Sequence, residues 1–71
     1  MTYNVYEKIC ITRKTVIEAD NDDDAIKKVE KREFDDDFVS QELLYDTEYS
    51  LRDLELWNQE GTRELYYDYS E

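Results

Sequence analysis

Histidine and proline are missing from this 71-residue chain, and glycine, cysteine, methionine and tryptophan occur once each. Without His there is no imidazole for acid/base chemistry near neutral pH and no Cys/His zinc site. One Gly cannot build a Gly-rich phosphate loop, and one Cys cannot close an internal disulfide. Cys10, between Ile9 and Ile11, reads as a small strand hydrophobe with no base beside it. Strongly apolar residues are scarce as well: four Val, four Ile, six Leu and two Phe. That lies just above the level of about 20 % at which a highly charged chain stays disordered. A chain this short buries only about 60 % of its unfolded surface, so one domain spanning residues 1–71 is expected, without a deep cleft. Carboxylates are abundant, but a general acid needs a buried, tuned setting that so small a core does not provide, so neither catalysis nor a cofactor is expected.

Seven Tyr and the single Trp make up part of the apolar deficit. Twenty Asp and Glu against nine Lys and Arg give a net charge of −11, which repels phosphate backbones and anionic headgroups alike. The excess is uneven. Residues 1–34 carry eight acids and seven bases, whereas residues 35–71 carry twelve acids and two bases. The N-terminus has no basic segment followed by an apolar run, and no stretch approaches about 20 apolar residues, so a soluble, cytoplasmic protein is expected.

Tyr3, Val5, Ile9 and Ile11 alternate as in a strand, with Glu7 as the exception on their face. Thr15 to Ala19 reads as a second strand, and Thr12-Arg13-Lys14 as the turn between them. Asp20 to Asp24 then precede Ala25, Ile26 and Val29 on one helical face. Asp20, Asn21 or Asp22 is placed to cap that helix, and Asp23–Lys27 and Asp24–Lys28 are spaced as i,i+4 pairs. A second short helix is expected to begin in Asp35-Asp36-Asp37 and take in Phe38, Val39, Glu42 and Leu43; alternatively Phe38 to Tyr45 continue the first helix.

Leu51 to Trp57 and Leu65 to Tyr69 flank Asn58-Gln59-Glu60-Gly61 and predict a hairpin. Side-chain parity favours registers that set Leu56 opposite Leu65 and Leu54 opposite Tyr67, or Leu54 opposite Leu65. The opposite face would then carry Asp53, Glu55, Glu64 and Asp68 with Trp57 and Tyr66. The fold class is α+β: a small, mainly antiparallel sheet of about four strands in the order β-β-α-(α)-β-β, the bracketed helix being the short second one.

Val16-Ile17-Glu18-Ala19-Asp20, followed by Ala25-Ile26 and Val29, resembles the small DpnD/PcfM-like domain of bacterial and phage genomes. The likeness covers the N-terminal half. It implies a β-β-α opening and a phage or mobile-element origin, and it brings no catalytic residues.

Asp20, Asp22 and Asp24 also match the opening of a calcium loop, but Ala25 stands where that loop needs Gly and Lys31 where it needs a bidentate Glu. Helix capping accounts for the same acids, and no metal site is assigned. The remaining constellation is acid and aromatic. On one strand face carboxylates repeat every 6.6 to 6.8 Å with neighbouring strands about 4.8 Å apart, roughly the charge spacing of a nucleic-acid backbone. In this character the chain is similar to acidic DNA-mimic anti-CRISPR and anti-restriction proteins. The expected partner is a basic, nucleic-acid-binding host defence protein, with no direct contact to nucleic acid or membrane. Asp53, Glu55, Glu64 and Asp68 would supply phosphate-like charge, extended by Asp46, Glu48 and Asp35, Asp36 and Asp37, while Trp57 and Tyr66 act as anchors. The alternative is an adaptor that binds another protein through its sheet edge, or a homodimer formed through Leu65, Tyr67 and Tyr69, with acidity serving solubility.

Overall fold

Residues 1–8, 11–45 and 52–69 are described in a computed structural model of the protein, Arg52 by its backbone alone. The N-terminal alternation produces β1 (Thr2–Lys8), which pairs antiparallel with β2 (Thr12–Glu18) from Thr2 opposite Glu18 to Lys8 opposite Thr12. Thr12, Arg13 and Lys14 therefore lie in β2 and not in the turn expected there. The Arg13 guanidinium reaches Glu7 across the ladder at 3.1 Å, which gives both polar side chains a partner within the sheet. This pair also resolves the Glu7 exception: Glu7 shares a face with Tyr3 and Val5 because its charge is matched there.

The acids before Ala25 start α1 (Asp22–Glu30) as expected. Asn21 is the cap, its side-chain oxygen accepting the Asp24 amide at 2.9 Å. Asp22, Asp23 and Asp24 fill the first turn and Lys27 and Lys28 the last, matching the helix dipole. The expected second helix does not form. Arg32, at φ 55, turns the chain through the left-handed region, Phe34 is buried in the core, and Asp35–Asp37 make a single 3₁₀ turn. Phe38 then enters β3 (Phe38–Leu44), which pairs antiparallel with β2. Phe38 and Val39 suit a pleated strand, and β2 offers a ladder that an isolated short helix lacks.

β4 (Arg52–Trp57) and β5 (Glu64–Tyr69) form the C-terminal hairpin, and β4 pairs with β1. The result is α+β, with one antiparallel sheet of five strands in the order β3-β2-β1-β4-β5. It has one strand more than expected, because residues 38–44 are strand.

α1 packs over β4 and β5 and buries Ala25 and Val29 against Tyr3, Val5, Ile17, Leu54 and Leu56. Tyr3 is fully buried, yet its hydroxyl donates to Asp22 Oδ1 at 2.8 Å, tying the central strand to the first helical turn. Burial, the bond to Asp22, and the charges of Asp22 and Asp24 together push the phenol up to about 12. An ordinary phenol ionises near 10.0, so the stability contributed by neutral Tyr3 is complete below that pH and is lost as pH rises toward about 12. Tyr3→Phe should cost about 1 kcal/mol at neutral pH, since Asp22 regains water as a partner. It should also flatten the fall in urea stability over that alkaline range; an unchanged alkaline limb would refute the assignment.

Candidate interaction surfaces

The β4–β5 register determines which of the expected binding residues share a surface. Leu56 lies opposite Tyr66, Glu55 opposite Tyr67 and Leu54 opposite Asp68, while Trp57 lies opposite Glu64, with irregularities between Leu56 and Trp57 and between Arg52 and Leu54. Neither expected register is present. The extra residue at Leu65 explains how parity is reconciled: Leu65 and Tyr66 both pack against the core, which strict alternation forbids and a bulge permits.

This arrangement separates the expected carboxylate lattice. Tyr66 and Asp68 lie on the helix side, where Asp68 accepts from Arg32 at 3.1 Å. Asp53 sits at the second irregularity, so it does not face Asp68. Glu55 belongs to the opposite face but is only 6 % exposed and accepts from Trp57 Nε1 at 3.1 Å, so it does not present charge to a partner. Glu64 is half-buried opposite Trp57. Asp46 and Glu48 lie outside the described residues.

The helix-free face instead carries a row that crosses all five strands: Tyr67, Glu55, Tyr6, Lys14 and Glu42. Tyr6, Lys14 and Glu42 were not among the expected surface residues, although period-2 alternation already separated Tyr6 from Tyr3 and Val5. Burial, followed by the charges of Glu55 and Glu42, raises the Tyr6 phenol above its ordinary value. Beside this row, the rings of Tyr67 and Tyr69 meet edge to face at 5.2 Å, both of them exposed.

Exposed carboxylates gather elsewhere, where the end of β2, the start of α1 and the 3₁₀ turn meet. Lys28 Nζ lies 3.2 Å from Asp24 Oδ2, 3.2 Å from Asp37 Oδ1 and 3.1 Å from the Glu18 carbonyl oxygen. The two carboxylate oxygens, sharing one nitrogen at 3.2 Å each, are thus no more than 6.4 Å apart. Asp24 also accepts the Asp20 amide at 3.1 Å. That bond, then Lys28, lowers its carboxyl below the ordinary value. Burial lowers the Lys28 ammonium, but Asp37 and Asp24 outweigh it and leave it above its ordinary value. Glu18, Asp20, Asp22, Asp23, Asp35 and Asp36 neighbour these residues in the chain and are exposed, and the Glu18 carboxylate accepts from the Met1 ammonium at 2.7 Å. Sequence reasoning assigned Asp20 and Asp22 to capping and Asp23 and Asp24 to i,i+4 pairs, and of these acids counted only Asp35 to Asp37 toward the binding surface; the missing signal was tertiary, the meeting of two acidic segments on one lysine.

Among the described residues, no helix is long and apolar enough to cross a membrane. Comparison with protein-family models, curated proteins and solved structures gives no significant match.

Lys28→Met removes the one cation shared by Asp24 and Asp37. It should cost about 1 kcal/mol, because its pairs are partly exposed, and more at low ionic strength, where the unshielded acids repel. Urea titrations at two salt concentrations check this, and a loss independent of salt would contradict it.

Proposed function

We propose that the protein is a non-catalytic inhibitor of phage or mobile-element origin whose acidic end occupies the positively charged nucleic-acid groove of a host defence protein, such as a CRISPR effector or restriction enzyme. The observation that carries this reading is the meeting on Lys28 of two acidic segments, one with Glu18, Asp20, Asp22, Asp23 and Asp24 and the other with Asp35, Asp36 and Asp37, through Asp24 and Asp37 at 3.2 Å each. Asp24 and Asp37, thirteen residues apart in the chain, hold carboxylate oxygens within 6.4 Å of each other, inside two charge steps of a nucleic-acid strand at about 3.4 Å of axis each. Lys28 holds Asp24 and Asp37 and the Met1 ammonium pairs with Glu18 at 2.7 Å, while Asp20, Asp23, Asp35 and Asp36 are exposed beside them. The function lives in surface charge and not in a reaction: the groove's Arg and Lys pair with these acids, and the field of a chain at −11 accelerates encounter. Of the β4–β5 acids, Glu55 is buried and Asp68 is held by Arg32, so neither is assigned to the contact.

A second reading, an adaptor for a non-nucleic-acid protein, is favoured by the exposed Tyr67–Tyr69 pair on the helix-free face. The two readings separate on a column. The immobilised protein is exposed to host lysate at low salt and eluted first with salt, then with duplex DNA. Mimicry requires a basic nucleic-acid-binding protein released by either eluent; a partner resistant to both favours the adaptor. Against a partner so identified, Asp23→Lys, Asp35→Lys and Asp36→Lys combined should weaken Kd by about 100-fold, each exposed pair contributing up to about 1 kcal/mol. Glu42→Lys, four residues and about 13 Å along β3 from Phe38 at the end of the 3₁₀ turn, should change it by less than about threefold. Equal effects of the two changes would sink the acidic-end assignment.

A further inference from the structure

The edge strand β3 shows a feature that the acidic end does not explain. Every residue from Phe38 to Leu43 is exposed and Leu44 is half-buried, because α1 lies over the far side of the sheet. Phe38, Val39 and Leu43 are 50 %, 52 % and 45 % exposed. Sheet edges in natural proteins are usually blunted by charge, proline or shortness. β3 is seven residues long, contains no proline and carries one charge, Glu42, which faces Lys14 of β2. An irregularity near Val39 interrupts β3 and leaves Ser40 to Leu44 in regular register with β2. The other edge, β5, carries Glu64 and Asp68, and Asp68 is bonded to Arg32.

We infer that β3 is a self-association edge, pairing antiparallel with β3 of a second copy about a two-fold axis at Gln41, so that two five-stranded sheets join into one of ten.

The occupant follows from the pattern of β3 itself. In antiparallel pairing opposed residues face the same side of the sheet, so a two-fold axis normal to the sheet must pass through a residue pair. Centring on Glu42 brings two carboxylates together. Centring on Ser40 sets Glu42 against Phe38. Centring on Gln41 sets Val39 against Leu43 twice, Glu42 against Ser40 twice and the two Gln41 side chains against each other. Val39 and Leu43 then meet each other and no like charges are opposed, while Phe38, shifted by the irregularity onto the face of Ile17, stays outside the match. The acidic run Asp35–Asp37 falls beyond the paired stretch. A strand from an unrelated protein would need only backbone groups, whereas this internal symmetry matches a second copy in particular.

The contact is short and brings together two chains of charge −11, so it should be weak and should tighten as salt screens the repulsion. The inhibitor contact proposed above has the opposite salt dependence, so either can fail without the other. Sedimentation of the full chain from about 1 µM to about 1 mM, at low and at high salt, should show a monomer–dimer equilibrium shifted toward dimer by salt. Two charge variants test the register. Val39→Lys with Leu43→Lys, and Val39→Glu with Leu43→Glu, should each be monomeric. Mixed, they should form a heterodimer, because every Lys then faces a Glu; recovery on mixing also shows that both are folded. A chain that stays monomeric at every concentration and salt overturns the inference. So does a dimer that survives in each variant alone, as one formed through Tyr67 and Tyr69 would, and so does a pair that fails to combine on mixing.

Discussion

Among the described residues one nine-residue helix must serve five strands, and most of the molecule follows from that shortage. A helix of this length is about 14 Å long and about 10 Å across, while five strands span about 19 Å between the outer axes. α1 therefore covers β4, β5 and the adjoining part of β1, and the apolar core is confined to that side. Tyr3 shows how tightly helix and sheet are joined there: a fully buried ring whose hydroxyl ends on the first turn of the helix that covers it.

Where the helix does not reach, the sheet is stabilised by cross-strand polar pairs. Arg13 with Glu7, Thr15 with Glu7, and Gln41 with Thr15 form a chain of contacts across β1, β2 and β3. On the other face Trp57 covers and bonds Glu55. Tyrosine and tryptophan suit such half-covered surfaces, since they bury a ring and keep a polar atom in contact with water or a partner. The low aliphatic content and the high Tyr content are thus two aspects of one architecture. A sheet that its described helix covers on one side only needs fewer aliphatic residues and more amphipathic ones.

The N-terminal half was legible because its signals were local. Alternation placed Tyr3 and Val5 together, and acids before Ala25-Ile26 followed by bases marked α1, with the cap narrowed to Asp20, Asn21 or Asp22 and fixed at Asn21 by the structure. β3 was not legible. Phe38-Val39 and Leu43-Leu44 fit either a helix or a strand, and only the free ladder of β2 decides between them. The C-terminal hairpin was placed correctly but misregistered, because a bulge at Leu65 lets two consecutive residues face the core and breaks the parity on which the reading depended. That single residue moved Tyr66 and Asp68 to the helix side and dissolved the anticipated lattice of Asp53, Glu55, Glu64 and Asp68. Charge placement was legible in amount but not in position, since the meeting of Asp24 and Asp37 on Lys28 joins two segments separated by most of α1.

The division of the sheet into a covered and an uncovered part is tested most directly by amide hydrogen exchange on the dilute protein, read residue by residue. β1, flanked by β2 and β4, should hold the slowest amides, with those of Tyr3 and Val5 approaching global unfolding. Along β3 protection should alternate, amides bonded to β2 exchanging slowly and outward-pointing ones exchanging fast. Uniformly slow exchange along β3 would contradict the account, since it would mean that the edge is already paired within a single chain.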